Sequence, residues 1–238
     1  MDFSSKTASR ITGVLFIIAA ITAIVGVILY KPILNDSDYL IQGSAHANQV
    51  VLGALMELIL VVSAVGTATV MFPFLKRYHR TIAIWHVCFR FMEAVVITVG
   101  VISVLSLLAL SQDYVAAGAP DAASYQVSGI LLKAVHDWTF LLGPNLFLGI
   151  NTMMYSYIFY KSKLVPRFIP MLGLTGSVLI LLAALLEMFG VIDQVSAWGG
   201  ILALPIFANE MTLAVWLITK GFNESAGGLS SIMNEKRD

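Results

Sequence analysis

The stretch that decides the fold is Thr81–Ser111, TIAIWHVCFRFMEAVVITVGVISVLSLLALS, which is apolar over most of its length. A bilayer core is crossed by roughly 20 helical residues, so this stretch is long enough to span it. Its first half carries His86, Arg90 and Glu93, spaced so that a helix presents all three on one face. Because a charge near the bilayer centre costs roughly 2.5–3.5 kcal/mol on insertion scales, this face is predicted to point into a helix bundle with polar partners.

The composition of the whole chain is that of an integral membrane protein. Of its 238 residues, 58% are hydrophobic and 12% are charged, whereas a soluble domain has about 25% charged residues. The formal net charge is zero, which gives no support to a nucleic-acid partner. The single cysteine excludes an intrachain disulfide and a metal site built from several thiolates. We therefore predict a multi-pass membrane protein whose first partners are membrane lipids.

Six apolar runs, separated by polar or basic turns, predict an all-α bundle of six transmembrane helices. The fourth run is too long for one straight span, and Gly143-Pro144 is expected to kink it, because proline removes a backbone hydrogen bond. The first run is longer than a signal-peptide core and lacks a small-residue cleavage site after it, so we interpret it as a retained span. Small residues on one face of this run, Ala19, Ala23 and Gly26, predict close helix contact. The predicted spans are 11–30, 48–75, 81–111, 124–160, 168–191 and 196–220.

Basic residues are distributed unevenly between the two sides that six spans would create. With the N-terminus inside, the inner segments hold 11 of the 14 Lys and Arg residues, and the outer loops hold only Lys31. Cytoplasmic loops carry an excess of Lys and Arg, so both termini are predicted to be cytoplasmic. Residues 1–223 are expected to form one transmembrane domain, followed by a disordered cytoplasmic tail over residues 224–238.

Polar side chains inside the predicted spans form a candidate intramembrane site. At about 1.5 Å per helical residue, the carboxyl groups of Glu57, Glu93 and Glu210 lie at similar or adjacent depths in the membrane to the guanidinium of Arg90. Arginine does not lose its proton, so one carboxylate neutralises it, and Glu93 on the same helix is expected to pair first. At least one of the other two carboxyl groups is then expected to be neutral near pH 7, or to hold a cation. The candidate ligand-binding residues are Glu57, Arg90, Glu93, His136, Asp137, Asn209 and Glu210.

Other interpretations of these residues are also open. A buried Arg–Glu network can simply tie helices together, and His86, near the cytoplasmic edge, is expected to snorkel to the interface. A zinc site built from Glu57, His136 and Asp137 is disfavoured, because residues 136 and 137 point about 100° apart on a helix. No HExxH, GxSxG or P-loop motif is present, so we predict no cofactor and no metal.

Six stretches give the chain a resemblance that covers roughly residues 8 to 223. They are NQVVLGALMELI (48–59), FRFMEAV (89–95), LSQDYVAAGAPDA (110–122), HDWTFLLG (136–143), YKSKLVPR (160–167) and ALPIFANEMTLAVWLITKGF (203–222). The chain resembles the domain of unknown function 4386 family of uncharacterised bacterial membrane proteins. The resemblance implies a one-domain protein of the bacterial inner membrane and no particular activity. The family's polar positions correspond to Glu57, Arg90, Glu93, Asp137, Trp138 and Glu210, which adds Trp138 to the candidate ligand-binding residues, and His136 stands where the family has arginine.

The sequence supports three classes of function. The leading hypothesis is a protein that binds or transports a small or amphipathic ligand through this polar site, with coupling to protons. The first alternative is an intramembrane enzyme that uses a protonated glutamic acid as acid or base, with or without a metal. The second is a structural or regulatory membrane protein that has no ligand.

Overall fold

The computed structural model describes residues 4–119, 122–193 and 196–223, and nearly all of these are helical. The tail predicted over residues 224–238 lies outside the described residues. The helices, in chain order, are α1 (Ser5–Leu29), α2 (Lys31–Leu34), α3 (Tyr39–Ala45), α4 (Ala47–Leu75), α5 (Arg80–Ala116), α6 (Ala123–Phe140), a π-helical segment (Leu141–Phe147), α7 (Leu148–Ser162), α8 (Phe168–Met188) and α9 (Ala197–Thr219).

Side-chain caps fix the start of three long helices. The hydroxyl group of Ser4 accepts a hydrogen bond from the backbone N–H of Thr7 at the start of α1, and Ser196 does the same for Gly199 at the start of α9. At the start of α5, a ring nitrogen of His79 accepts from the N–H of Ile82. Each cap satisfies a backbone donor that the first helical turn leaves without a partner.

Within the described residues, five helices are long and apolar enough to cross a membrane: α1, α4, α5, α8 and α9. They coincide with five of the six predicted spans, although α5 continues five residues beyond the predicted end at 111. The chain thus has the helix lengths and composition of a multi-pass membrane protein. The region of the remaining predicted span, 124–160, is divided between α6, the π-helical segment and α7.

The π-helical segment lies where Gly143-Pro144 was expected to kink the fourth predicted span. Pro144 has no backbone N–H, so it cannot take part in the regular hydrogen-bond ladder of an α-helix. The structure accommodates it by widening one stretch of helix into π geometry rather than by ending the helix.

The connection between α1 and α4 differs from the expectation. Only a polar or basic turn was expected between these two spans, but the connection contains the short helices α2 and α3. Ile33, Tyr39 and Leu40 are buried there, and Gly43 packs against Ser111 of α5. Burial of these apolar side chains stabilises helices that are too short to be stable alone.

The long helices form a ring around a central space. Helix α1 packs between α4 and α9, α8 packs between α7 and α9, and α5 contacts α4, α6, the π-helical segment and α7. Glycines allow two of the closest approaches: a Cβ atom on Gly13 would lie 2.6 Å from the carbonyl oxygen of Ala214, and one on Gly176 would lie 2.7 Å from the nitrogen of Ile206. Such small-residue contacts are typical of helix packing in membranes.

Two apolar clusters lie at opposite ends of the helix bundle. The first joins the start of α1 to the ends of α4, α7 and α9 and includes Met71, Phe159 and Leu217. The second joins the end of α1, the start of α4 and the second half of α5 and includes Val50 and Leu107. The polar residues of the Arg90 site lie between the two clusters.

A candidate ligand-binding cavity

A cavity of about 480 Å³ lies inside the ring of helices. Its walls come from α1, α4, α5, α6, the π-helical segment, α7, α8 and α9, and most of its lining is apolar. This volume is within the range of about 300–1,000 Å³ that is typical of small-molecule sites. Five of the predicted site residues, on four helices, line this one space: Glu57, Arg90, Glu93, His136 and Glu210.

Arg90 and Glu93 form the centre of the polar side of the cavity. The Nη1 atom of Arg90 donates to both carboxylate oxygens of Glu93, at 2.9 and 3.0 Å, and this is the intrahelical pair that the sequence predicts. The Nη2 atom of Arg90 lies 3.6 Å from Oε1 of Glu210 on α9, so one guanidinium connects two carboxylates on different helices. Asn151 of α7 donates to Oε2 of Glu93 at 2.6 Å. These contacts tie α5, α7 and α9 together.

Glu57 lies on another wall of the cavity and has a different partner. The hydroxyl group of Tyr30, at the end of α1, donates to Oε2 of Glu57 at 3.2 Å. Gly26 and Gly53 let α1 and α4 approach closely here, because a Cβ atom on Gly26 would lie 3.1 Å from Cγ of Glu57. The Glu57 residue is only 7% exposed.

His136 separates the cavity from a second space. It lines the cavity together with Phe140, and both residues also line a neighbouring polar groove of about 860 Å³. The His136 ring meets the Tyr30 ring edge to face, with ring centroids 6.0 Å apart. His136 and Tyr30 therefore form part of the wall between Glu57 and the groove.

Asp137 and Trp138 follow His136 but lie outside the cavity. The Asp137 side chain is 65% exposed, lines the groove and has Oδ1 3.5 Å from Nδ1 of His136. Trp138 is 52% exposed and is not part of the cavity lining. The two residues point away from Glu57 because successive side chains on a helix diverge by about 100°.

Asn209 is fully buried beside the cavity rather than in its lining. Its Nδ2 atom donates to the hydroxyl group of Tyr155 at 2.8 Å, next to the Arg90 pair. His86 packs against the same tyrosine, with ring centroids 5.6 Å apart, and is completely buried. The expectation that His86 snorkels to the interface was therefore wrong: its ring points into the bundle, where neither nitrogen makes a hydrogen bond of good geometry to a described residue.

Three residues of this site did not stand out in the sequence. Tyr30 appears only as the end of an apolar run, Asn151 as an isolated amide, and Tyr155 as part of an aromatic cluster typical of the membrane interface. Tyr155 is instead 1% exposed, in the core of the bundle. The only sequence signal for these three residues is an amide or phenol side chain at helical spacing from other polar residues. This signal does not indicate which helix the side chain contacts.

The cavity reaches the outer surface of the bundle beside α1 and α9. Several of the apolar residues in its lining are about half exposed, including Ile24, Ile28 and Phe207. In a bilayer, exposed apolar side chains on the outside of a helix bundle contact lipid. The cavity is thus accessible from the side of the protein that the acyl chains would surround.

The carboxyl groups and histidines do not converge as metal ligands do. Among residues 4–119, 122–193 and 196–223, no group of three or more His, Cys, Asp or Glu side chains is arranged to hold a metal ion. Glu57 and His136 share the cavity, but Asp137 faces the groove. The geometry gives no support to the zinc site considered from the sequence.

Comparison with known proteins identifies a family and no characterised relative. The family profile described as Domain of unknown function (DUF4386) matches residues 11–221, which is most of the chain. Neither the curated proteins nor the solved structures contain a match.

Proposed function

Because the chain belongs to the DUF4386 family, whose description names no activity, we propose its function from the cavity alone: it binds or transports a small amphipathic ligand within the membrane. The observation that carries this proposal is an apolar cavity of about 480 Å³, inside the bundle, with ionisable groups on one side and an opening beside α1 and α9. A ligand with an apolar body and a polar head would match both parts of its lining.

The charge content of the cavity supports coupling to protons. Three carboxyl groups, those of Glu57, Glu93 and Glu210, share the cavity with one guanidinium. Uncompensated charges are costly in a low-dielectric space, so the number of protons bound here would change when a charged ligand enters or leaves. We include Glu57, Arg90, Glu93, His136 and Glu210 as ligand-facing residues, with Asn209 as a supporting neighbour and Asp137 at the adjoining groove, whereas Trp138 lines neither space.

Filling the cavity tests ligand binding. Ala20 lines the cavity on α1, whereas its neighbour Ile21 is 56% exposed on the outside of the same helix. We expect a thermal-stability screen of the purified protein against small amphipathic compounds to give hits that raise the Tm. Ala20→Trp should abolish the shifts by occupying the ligand volume, and Ile21→Trp should leave them unchanged. Shifts that survive in Ala20→Trp would place binding elsewhere, and a screen without hits would favour a structural role.

We also propose a topology for this bundle: α6, the π-helical segment and α7 together form a sixth crossing, and both termini face the bacterial cytoplasm. The support is the uneven distribution of Lys and Arg, 11 of 14 of which fall on one side of a six-span arrangement. Reporter fusions after Gly118 and at the C-terminus should give periplasmic activity at the first position and cytoplasmic activity at the second. Periplasmic activity at the C-terminus would contradict the six-span arrangement.

A further inference from the structure

We propose that the ligand of this cavity is an organic cation, an amphiphile whose positively charged head is held by Glu57 and Glu210. This inference rests on the proposed function and names the chemical class of its ligand. It depends on the hydrogen bonds of Glu57, on the balance of charges in the lining, and on the apolar and aromatic character of the remaining walls.

Glu57 has one carboxylate oxygen that is available to a ligand. The residue is 7% exposed and lines the cavity, and its Oε2 atom is occupied by the Tyr30 hydroxyl group. Its Oε1 atom makes no hydrogen bond to any residue in the part of the chain that the structure describes. An ionised carboxylate only accepts hydrogen bonds, and a buried one is stable only beside a donor or a positive charge. When Glu57 is ionised, a positive charge or a hydrogen-bond donor on a ligand would complete this site.

The positive charge already present in the cavity is paired with carboxylates of its own lining. The guanidinium of Arg90 pairs with both oxygens of Glu93 and lies 3.6 Å from Glu210. The cavity lining contains no other Lys or Arg among the described residues, and His136 is its remaining titratable side chain. With all three carboxyl groups ionised and His136 neutral, the lining carries a charge of −2; a monocation near Glu57 and Glu210 would reduce this excess, whereas an anion would increase it.

The shape and chemistry of the walls favour an organic cation over a metal ion. The described carboxyl groups do not converge into a ligand set for a metal, and most of the lining is apolar. Phe140 and Phe207 lie in the walls, and aromatic faces attract diffuse organic cations, as the Phe16 ring already does for the Arg90 guanidinium. The alanine side chains at positions 19, 20 and 23 of α1 leave space for an apolar body.

Two lipophilic ions of nearly the same size and opposite charge separate charge recognition from simple partitioning. The probes are tetraphenylphosphonium and tetraphenylborate, measured by equilibrium binding to the full-length protein in nanodiscs of zwitterionic lipid, with empty nanodiscs as background. We expect saturable binding of the phosphonium and none of the borate. Glu57→Gln and Glu210→Gln should each weaken phosphonium binding about tenfold or more, because each removes a charge that faces the bound cation.

Asp113→Asn is the matched control, since it removes an exposed carboxylate near the end of α5, away from the cavity. It should leave phosphonium binding unchanged.

Having two separate Glu→Gln variants keeps the test valid if one of them does not fold. Equal binding of both ions, insensitive to either Glu→Gln change but lost in Ala20→Trp, would overturn the cation inference and leave the amphiphile cavity intact. Absence of saturable binding of either ion, together with a thermal screen without hits, would overturn both.

Discussion

Arg90 is the residue on which the polar part of the cavity depends. It is 4% exposed, and its two terminal nitrogens contact carboxylates on two helices. A buried ion pair adds little net stability compared with an apolar pair, but removal of one partner leaves an uncompensated charge in a low-dielectric site. The guanidinium is therefore needed to compensate the negative charge of the carboxylates around it, whether or not it also contacts a ligand.

Arg90→Leu is accordingly expected to lower the free energy of unfolding by about 3–5 kcal/mol, the usual cost of breaking a buried pair. The measurement is a denaturant titration of the protein in mixed micelles, followed by Trp fluorescence. The double variant Arg90→Leu/Glu93→Leu should be more stable than Arg90→Leu alone, because it also removes a carboxylate left without its partner. If Arg90→Leu has the same free energy of unfolding as the wild type, the buried pair does not contribute to stability in this way.

At the residue scale, sequence spacing predicts the Arg90–Glu93 pair because both residues lie on one helix, three positions apart. Depth estimates also place Glu57 and Glu210 at levels compatible with one cavity. The hydrogen bonds from Tyr30 to Glu57 and from Asn209 to Tyr155 were not predictable. Each joins two helices, and the rotation of one helix against another is set by packing rather than by the sequence of either.

At the scale of elements, long apolar runs and the turns between them predict five helices well, because a span of about 20 apolar residues has few other stable structures in a bilayer. The segment around Gly143-Pro144 could be predicted only in part. A proline within an apolar run predicts a break in the regular α-helical hydrogen bonds, but the π geometry found here also depends on the neighbouring helices. Here Pro144 and Asn145 line the cavity, so the disturbance lies in its wall.

Helix α1 shows a second element-scale difference. Small residues at 19, 23 and 26 were expected to mediate close helix contact, and Gly26 does so against Glu57 of α4. Ala19 and Ala23 instead line the cavity. Small side chains are compatible either with close packing or with an open space beside the helix, and only the positions of α4 and α9 distinguish the two.

At the scale of the whole molecule, two apolar clusters lie at opposite ends of the bundle, and the cavity lies between them. The half-exposed residues Ile24, Ile28 and Phe207 mark the side from which it is accessible. For the proposed ligand, this exposure favours entry from the lipid phase.

Photolabelling can show directly whether an amphiphile binds inside the bundle. Short diazirine-bearing alkyl amphiphiles, one cationic and one neutral, would be irradiated with the protein in nanodiscs and the labelled residues identified by mass spectrometry. We expect at least one probe to label cavity residues on α1, α4 and α9, including Ala23, Leu60 and Phe207. This labelling should be suppressed by excess unlabelled amphiphile and lost in Ala20→Trp. Labelling confined to outward-facing side chains such as Val62, which is 71% exposed, with no competition, would contradict it.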